Sequence, residues 1–248
     1  MLVSDNLPYL SIIIPAHNEE QRLPRTLEQV TAFLNRQAYR GEIIVVENGS
    51  SDRTLEIAQY FSSRIPNLRV LHSEQRGKGL AVKMGMLASR GQYRFFADAD
   101  LSMPIDEVNR FIPPVMPDAE VVIGSREAPG AVRFDEPSYR HVTGRVFNNI
   151  VRLLALPGLE DTQCGFKCFR GDIADEVFPL QTIPGWTFDV EVLFIARRRG
   201  YRIVEVGIPW YFNADSKIRV ARDSLRMFFD LINIRFNAWT GRYGNHRA

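Results

Sequence analysis

The chain has 248 residues, of which 45% are apolar and 24% charged, and its formal net charge is +2. These are the proportions of an ordinary globular protein, enough for one large α/β domain or two small ones, and the charge is too small to bind nucleic acid in bulk. Two cysteines exclude a disulfide framework, and no run approaches the ~20 apolar residues that cross a bilayer.

In chain order, residues 10–14 read as a buried strand that stops at Pro15. Asp5 and Asn6 before it give no signal-peptide pattern, so the chain is expected in the cytoplasm. Leu23, Leu27, Val30 and Leu34 recur at helical spacing. Residues 43–46 form a second buried run. Ser51 or Asp52 then caps a helix whose apolar positions are Leu55, Ile57, Ala58 and Phe61. A strand at 68–71 precedes a helix at 79–88, and a strand at 93–97 precedes a helix at 104–115. Residues 120–123 give a fifth strand. Near-continuous β-branched runs separated by helices indicate a mostly parallel sheet covered on both faces.

The second half reads differently. Residues 125–143 are rich in Gly, Pro and charge and read as a long functional loop. A helix at 145–156, strands at 165–169 and 202–206, and a helix at 190–199 follow. Residues 219–239 read as one long amphipathic helix, so the chain divides into a domain at 1–218 and a C-terminal helix and tail at 219–248. Cys164 and Cys168 sit in an apolar strand and read as reduced core thiols.

Ligands of open α/β sheets bind at the carboxyl ends of the strands, so the polar residues there matter most. The first strand ends in Pro15-Ala16-His17-Asn18-Glu19 and the second in Glu47-Asn48-Gly49-Ser50-Ser51-Asp52. The third leads to Arg76-Gly77-Lys78-Gly79 and the fourth to Asp98-Ala99-Asp100. Carboxylates one residue apart point the same way on an extended backbone. Held close, they repel unless a cation sits between them or one keeps its proton. Mg2+ or Mn2+ would suit them, because both prefer oxygen ligands shared with phosphates and water. Taken alone, the tripeptide fits a solvated turn or a helix cap before Pro104 better than a metal site.

In this order and spacing, PAHNE, VVENGSSD, RGKG and DADLS resemble the family 2 glycosyltransferases of the GT-A fold. The resemblance continues through Gly124-Ser125-Arg126, residues 161–167 (DTQCGFK), residues 188–191 (FDVE) and Ser216-Lys217, and so covers roughly residues 10–218. These later segments are similar to the dolichyl-phosphate β-glucosyltransferase and polyprenyl-phosphate glycosyltransferase branch. The resemblance implies that Pro15, His17, Glu19, Glu47, Asp52, Lys78, Asp98, Ala99 and Asp100 line the nucleotide-sugar pocket. Asp100 would be the main metal ligand, with Asp98 beside it near the ribose and sugar. Arg126 and Arg140 would face the acceptor phosphate. Gln163 and Asp189 would touch the sugar, shape the acceptor side, or form a buried structural pair. Glu47 stands where the family more often has Asp, and Asn48 where many members have a second Asp.

The implied reaction is an inverting transfer of a hexose to a polyprenyl phosphate such as dolichyl or undecaprenyl phosphate. UDP-glucose is the favoured donor and GDP-mannose the alternative. A phosphate acceptor arrives ionised and needs cationic groups that dock it, whereas a hydroxyl acceptor needs a base, for which Asp189 or Asp161 is the candidate. Two other readings stay open: a soluble acceptor, and a nucleotide-sugar-binding protein without catalysis. In the C-terminal helix, Leu225, Phe228, Phe229, Ile232 and Phe236 fall at helical spacing among Arg219, Arg222, Arg226 and Arg235. That face is expected to meet the inner surface of the cell membrane, the domain itself, or a second subunit in a homodimer.

Overall fold

Every one of the first four apolar runs forms a strand, because each is flanked by helices that bury it. The computed structural model describes residues 7–213 and 220–244. In it β1 (Leu10–Ala16), β2 (Gly41–Asn48), β3 (Leu68–Ser73) and β4 (Tyr93–Ala97) lie parallel in the order β3-β2-β1-β4. The sheet continues through β7 (Phe166–Arg170), β5 (Val121–Ser125) and β8 (Ile203–Gly207). Of the seven strands only β7 runs antiparallel, to both β4 and β5.

Side chains alternate across the sheet. Ile12, Ile14, Ile43, Val45 and Phe95 face one core, shared with α1 (Leu23–Asn35) and α2 (Thr54–Ser62). Ile13, Ile44, Val46 and Phe96 face the other. That second core lies under α3 (Lys78–Ala88), α5 (Gly171–Val177) and α6 (Phe188–Arg198). Cys164 and Cys168 are free and buried, and burial pushes the Cys164 thiol up to about 12.

Three expectations change. The helix at 104–115 is a short 3-10 helix of two turns, Ile105–Arg110. Pro113 and Pro114 lack N–H groups, and a helix continued to 115 would carry both in its interior. The loop at 125–143 holds a short strand, β6 (Val132–Phe134), parallel to β9 (Pro209–Tyr211). α4 (Ser138–Leu154) then begins inside that segment rather than at 145. Its start was masked by Thr143 and Gly144, both poor helix formers.

The C-terminal helix α7 (Val220–Trp239) packs against α6 and α4. Leu231, Ile234, Ala238 and, beyond the helix, Tyr243 join the second core. Among the described residues no helix is long and apolar enough to cross a membrane.

Candidate active site

The chain order reverses direction at β1. From it β2 and β3 run to one side, and β4 lies on the other. Such a switch point opens a crevice at the carboxyl ends of the two central strands. The loops after β1, β2 and β4 therefore converge there, carrying His17, Glu19, Asp52, Asp98, Ala99 and Asp100, while Lys78, Arg126 and Asp189 come from α3, the end of β5 and α6.

The first two loops are tied together by their own polar atoms. The His17 ring N–H donates to Asn48 O at 2.9 Å. Asn18 takes a left-handed backbone, with φ 53°, and accepts from the Ser51 N–H. Asp52 accepts from the Thr54 and Glu20 N–H groups, but the N-cap position of α2 falls to Arg53 rather than to Ser51 or Asp52. Burial would raise its carboxyl, but these hydrogen bonds hold it below the ordinary range. Glu19 grips Arg22 through both oxygens. Glu47 is almost fully buried, and its carboxylate engages the Ser50 N–H and the His72 ring on β3. Burial opposes ionisation of Glu47, and the two hydrogen bonds outweigh it, so its carboxyl lies low. The Glu side chain, one methylene longer than Asp, thus reaches across to the neighbouring strand.

Asp98 and Asp100 stand at the mouth of the crevice. Lys78, the first residue of α3, pairs with Asp98 at 2.5 Å and lies 5.4 Å from the Trp186 ring centroid. Burial would lower the Lys78 ammonium, but Asp98 and Asp189 raise it. Asp100 accepts from the Ser102 N–H, and burial together with the charge on Asp98 raises its carboxyl. Ala99 is held by its carbonyl, which accepts from Thr26 on α1 at 2.6 Å. A cleft of about 580 Å³ opens beside Asp100, lined by Arg22, Arg25, Thr26, Leu101 and Asn213 among others. Two carboxylates of which one lacks a cationic partner fit a hard divalent ion that completes its shell with phosphates and water. Among the described residues no group of three His, Cys, Asp or Glu forms a closed metal cage.

Beneath this layer lies a buried pair. Lys167 is fully buried and donates to Asp189 at 2.6 Å and to Cys164 O. Burial raises the Asp189 carboxyl against the pull of Lys167 and Lys78. Gly165 lies against Asp98 so tightly that a Cβ there would meet Asp98 Oδ2 at 2.0 Å. Lys167, Trp186 and Gly165 are the site residues that motif reading passed over. Gly165 and Lys167 fall within the DTQCGFK segment and Trp186 two residues before FDVE, but a buried lysine and a contact glycine carry no periodicity of their own.

Arg126 follows β5, as expected, but it is not a bare cation. Asp161 is fully buried and holds it through Nε at 2.6 Å and Nη2 at 2.9 Å. Asp161 also accepts the Arg126 backbone N–H at 3.0 Å. The guanidinium outweighs the effect of burial and lowers the Asp161 carboxyl to about 2. Arg126 also lies 5.4 Å from the Trp210 ring centroid. Gln163 donates its backbone N–H to Asp161 at 3.3 Å. Pro15 sits on β1 between buried neighbours. The side chains of Arg140 and His141, and all of Ser216 and Lys217, lie outside the described residues.

The profile of Glycosyl transferase family 2 matches residues 11–178. A dolichyl-phosphate beta-glucosyltransferase of Dictyostelium discoideum is 36% identical, over 96% of this chain and 76% of its own. The Saccharomyces cerevisiae protein of the same name is 32% identical over 96% and 78%, and the Homo sapiens one 32% over 94% and 77%. Among solved structures, Mycobacterium tuberculosis glucosyl-3-phosphoglycerate synthase in complex with UDP superposes with a TM-score of 0.66 at 20% identity, covering 92% of this chain and 80% of its own. The same enzyme with Mn2+, UDP and glucosyl-3-phosphoglycerate gives 0.66 at 18%, covering 97% and 82%. At these identities the likeness concerns the fold, which is the expected GT-A fold.

Proposed function

The chain belongs to glycosyl transferase family 2 and is a glycosyltransferase, and on that premise we propose that it moves glucose from UDP-glucose to a polyprenyl phosphate. The observation that carries the acceptor is the state of the two carboxylates that a hydroxyl acceptor would call on. Asp161 is locked onto Arg126 and Asp189 onto Lys167, and both are buried. A phosphate nucleophile is already ionised and asks for no base. The names of the relatives, dolichyl-phosphate beta-glucosyltransferases, point the same way.

In this reading the crevice beside β1 and β4 takes the nucleotide sugar, with the loops carrying Pro15, His17, Glu19, Glu47 and Asp52 as its walls. Asp100 would hold Mg2+ or Mn2+ with Asp98 near it, and the cation supplies Lewis-acid neutralisation of the diphosphate leaving group. Lys78 balances Asp98, so that the two carboxylates coexist at neutral pH. Arg126 uses two of its five side-chain N–H groups on Asp161. Among the described residues nothing accepts from the remaining three, which would dock an acceptor phosphate in an orientation that Asp161 fixes. The place of action is the surface of a membrane, where such an acceptor resides.

The test is transfer of radiolabelled glucose from UDP-glucose to undecaprenyl phosphate with Mg2+ or Mn2+. Label in the lipid phase is expected. No transfer to the lipid with any metal, from UDP-glucose or GDP-mannose, would overturn the acceptor assignment. Full activity toward a hydroxyl compound without lipid or detergent would replace it.

A further inference from the structure

α7 carries apolar side chains on two opposite sides. Met227, Leu231, Ile234 and Ala238 face the body of the protein and are no more than 7% exposed. At 3.6 residues per turn, Phe229, Ile232, Phe236 and Trp239 return on the other side, with Phe228 beside them. These five are 40–83% exposed. A helix needs one apolar stripe to pack on a domain. The fold uses the first stripe and leaves the second in water, which is unusual for a patch of this size and marks a contact surface.

The surrounding charge selects the partner. Arg226, Arg235 and Arg242 are exposed, and among the described residues no ion pair engages them. Of the two acidic residues of this stretch, Asp223 has a side chain outside the described residues, and Asp230 accepts a hydrogen bond from Thr187 at 2.7 Å. Residues 219–248 contain six arginines against two aspartates. A second copy placed on this face would set arginine against arginine with no acid to answer. An anionic bilayer answers both features, with phosphates for the arginines and acyl boundary for the phenylalanines and Trp239. We propose that the outer face of α7 docks on an anionic lipid surface, with Phe229, Ile232, Phe236 and Trp239 inserted at the headgroup–acyl boundary.

Docking there would also bear on the segment that leads into α6. Thr187 is bonded to Asp230, Asn237 donates to Thr182, and the Tyr243 hydroxyl donates to Glu191 at 2.8 Å. The segment thus fastened to α7 carries Trp186 and Asp189. This purpose rests on the polyprenyl-phosphate reading, since such an acceptor must be drawn from a bilayer; the docking itself is measured with neither donor nor acceptor present.

The experiment is co-sedimentation of the full chain with vesicles of phosphatidylcholine containing phosphatidylglycerol, and with phosphatidylcholine alone. Binding to the anionic vesicles, weakened by salt, is expected. Phe229→Ser/Phe236→Ser/Trp239→Ser should lose at least ~10-fold in partitioning while keeping its circular dichroism melting curve and UDP binding. Arg226→Gln/Arg235→Gln should lose about 30-fold, the worth of two cations at an anionic surface. Wild-type protein that ignores anionic vesicles, or a triple variant that binds them like wild type, overturns the proposal. So does a wild-type dimer in light scattering that the triple variant abolishes, with no vesicle binding by either. Vesicle binding without glucosyl transfer to lipid would sink the acceptor reading alone, and transfer without vesicle binding would sink this one alone.

Discussion

Asp161 has no exposed surface, yet it stays ionised because Arg126 holds both of its oxygens. Its folded value, about 2, lies below the ordinary 3.8. A carboxyl lowered in this way adds stability above its unfolded value and loses it as the pH falls through its folded value. The shift is worth on the order of 2–3 kcal/mol. Urea unfolding between about pH 2 and pH 7 should therefore show this contribution whole above about pH 5 and declining below pH 4. Asp161→Asn should lower stability at neutral pH by about 2–3 kcal/mol, because the half-buried Arg126 loses its buried partner. The gap to wild type should narrow in acid; a gap that is constant with pH would show that the pair does not set it. Asp98, Asp100 and Arg126 stand out as candidates in the sequence because each follows an apolar strand. Their partners do not. Arg126 meets Asp161, Lys78 meets Asp98 and Lys167 meets Asp189 only after the sheet is assembled, and no local pattern encodes such distances. Arg126 was read as a bare phosphate receptor for that reason.

At the scale of elements, the parallel strands were legible because burial on both faces demands unbroken apolar runs. The direction of β7 was not, since an apolar run reads the same either way. The 3-10 helix at Ile105–Arg110 and the start of α4 were misread where proline and glycine compete with helical periodicity. The most consequential contact between elements was also invisible: the N-terminus of α3 is pressed against the segment before α6. A Cβ on Gly79 would meet Ile183 O at 2.6 Å and Phe188 Cβ at 2.6 Å. Neither of these atoms is the movable tip of a side chain. Gly79→Ala should therefore destabilise the protein by about 1–3 kcal/mol, the usual range for overpacking. In a chain of this size that lowers the thermal midpoint by roughly 2–4 °C for each kcal/mol. It should also weaken UDP-glucose binding, because lifting α3 draws Lys78 away from Asp98. A variant with an unchanged midpoint would show that α3 and the segment before α6 yield freely.

For the molecule as a whole, the sheet brings loops from β1, β2 and β4 to one edge, and the two acidic residues there divide their work. Asp98 is already partnered by Lys78 and pressed by Gly165. Among the described residues Asp100 accepts from the Ser102 N–H alone, and its carboxyl is raised by its surroundings. Asp100 is therefore the one whose charge is left for a cation, and donor binding should depend on metal through it. Mn2+ and UDP-glucose at about 100 times the dissociation constant should stabilise the wild-type protein by roughly 2.7 kcal/mol. That corresponds to a rise in thermal midpoint of about 5–10 °C. Asp100→Asn keeps the shape and removes the charge, so its thermal shift with UDP-glucose should no longer respond to Mn2+, and transfer should vanish with it. Asp98→Asn should instead leave Lys78 buried without its counter-ion and weaken donor binding with or without metal. An Asp100→Asn protein that stays fully active and metal-dependent would place the cation elsewhere and undo this division of labour.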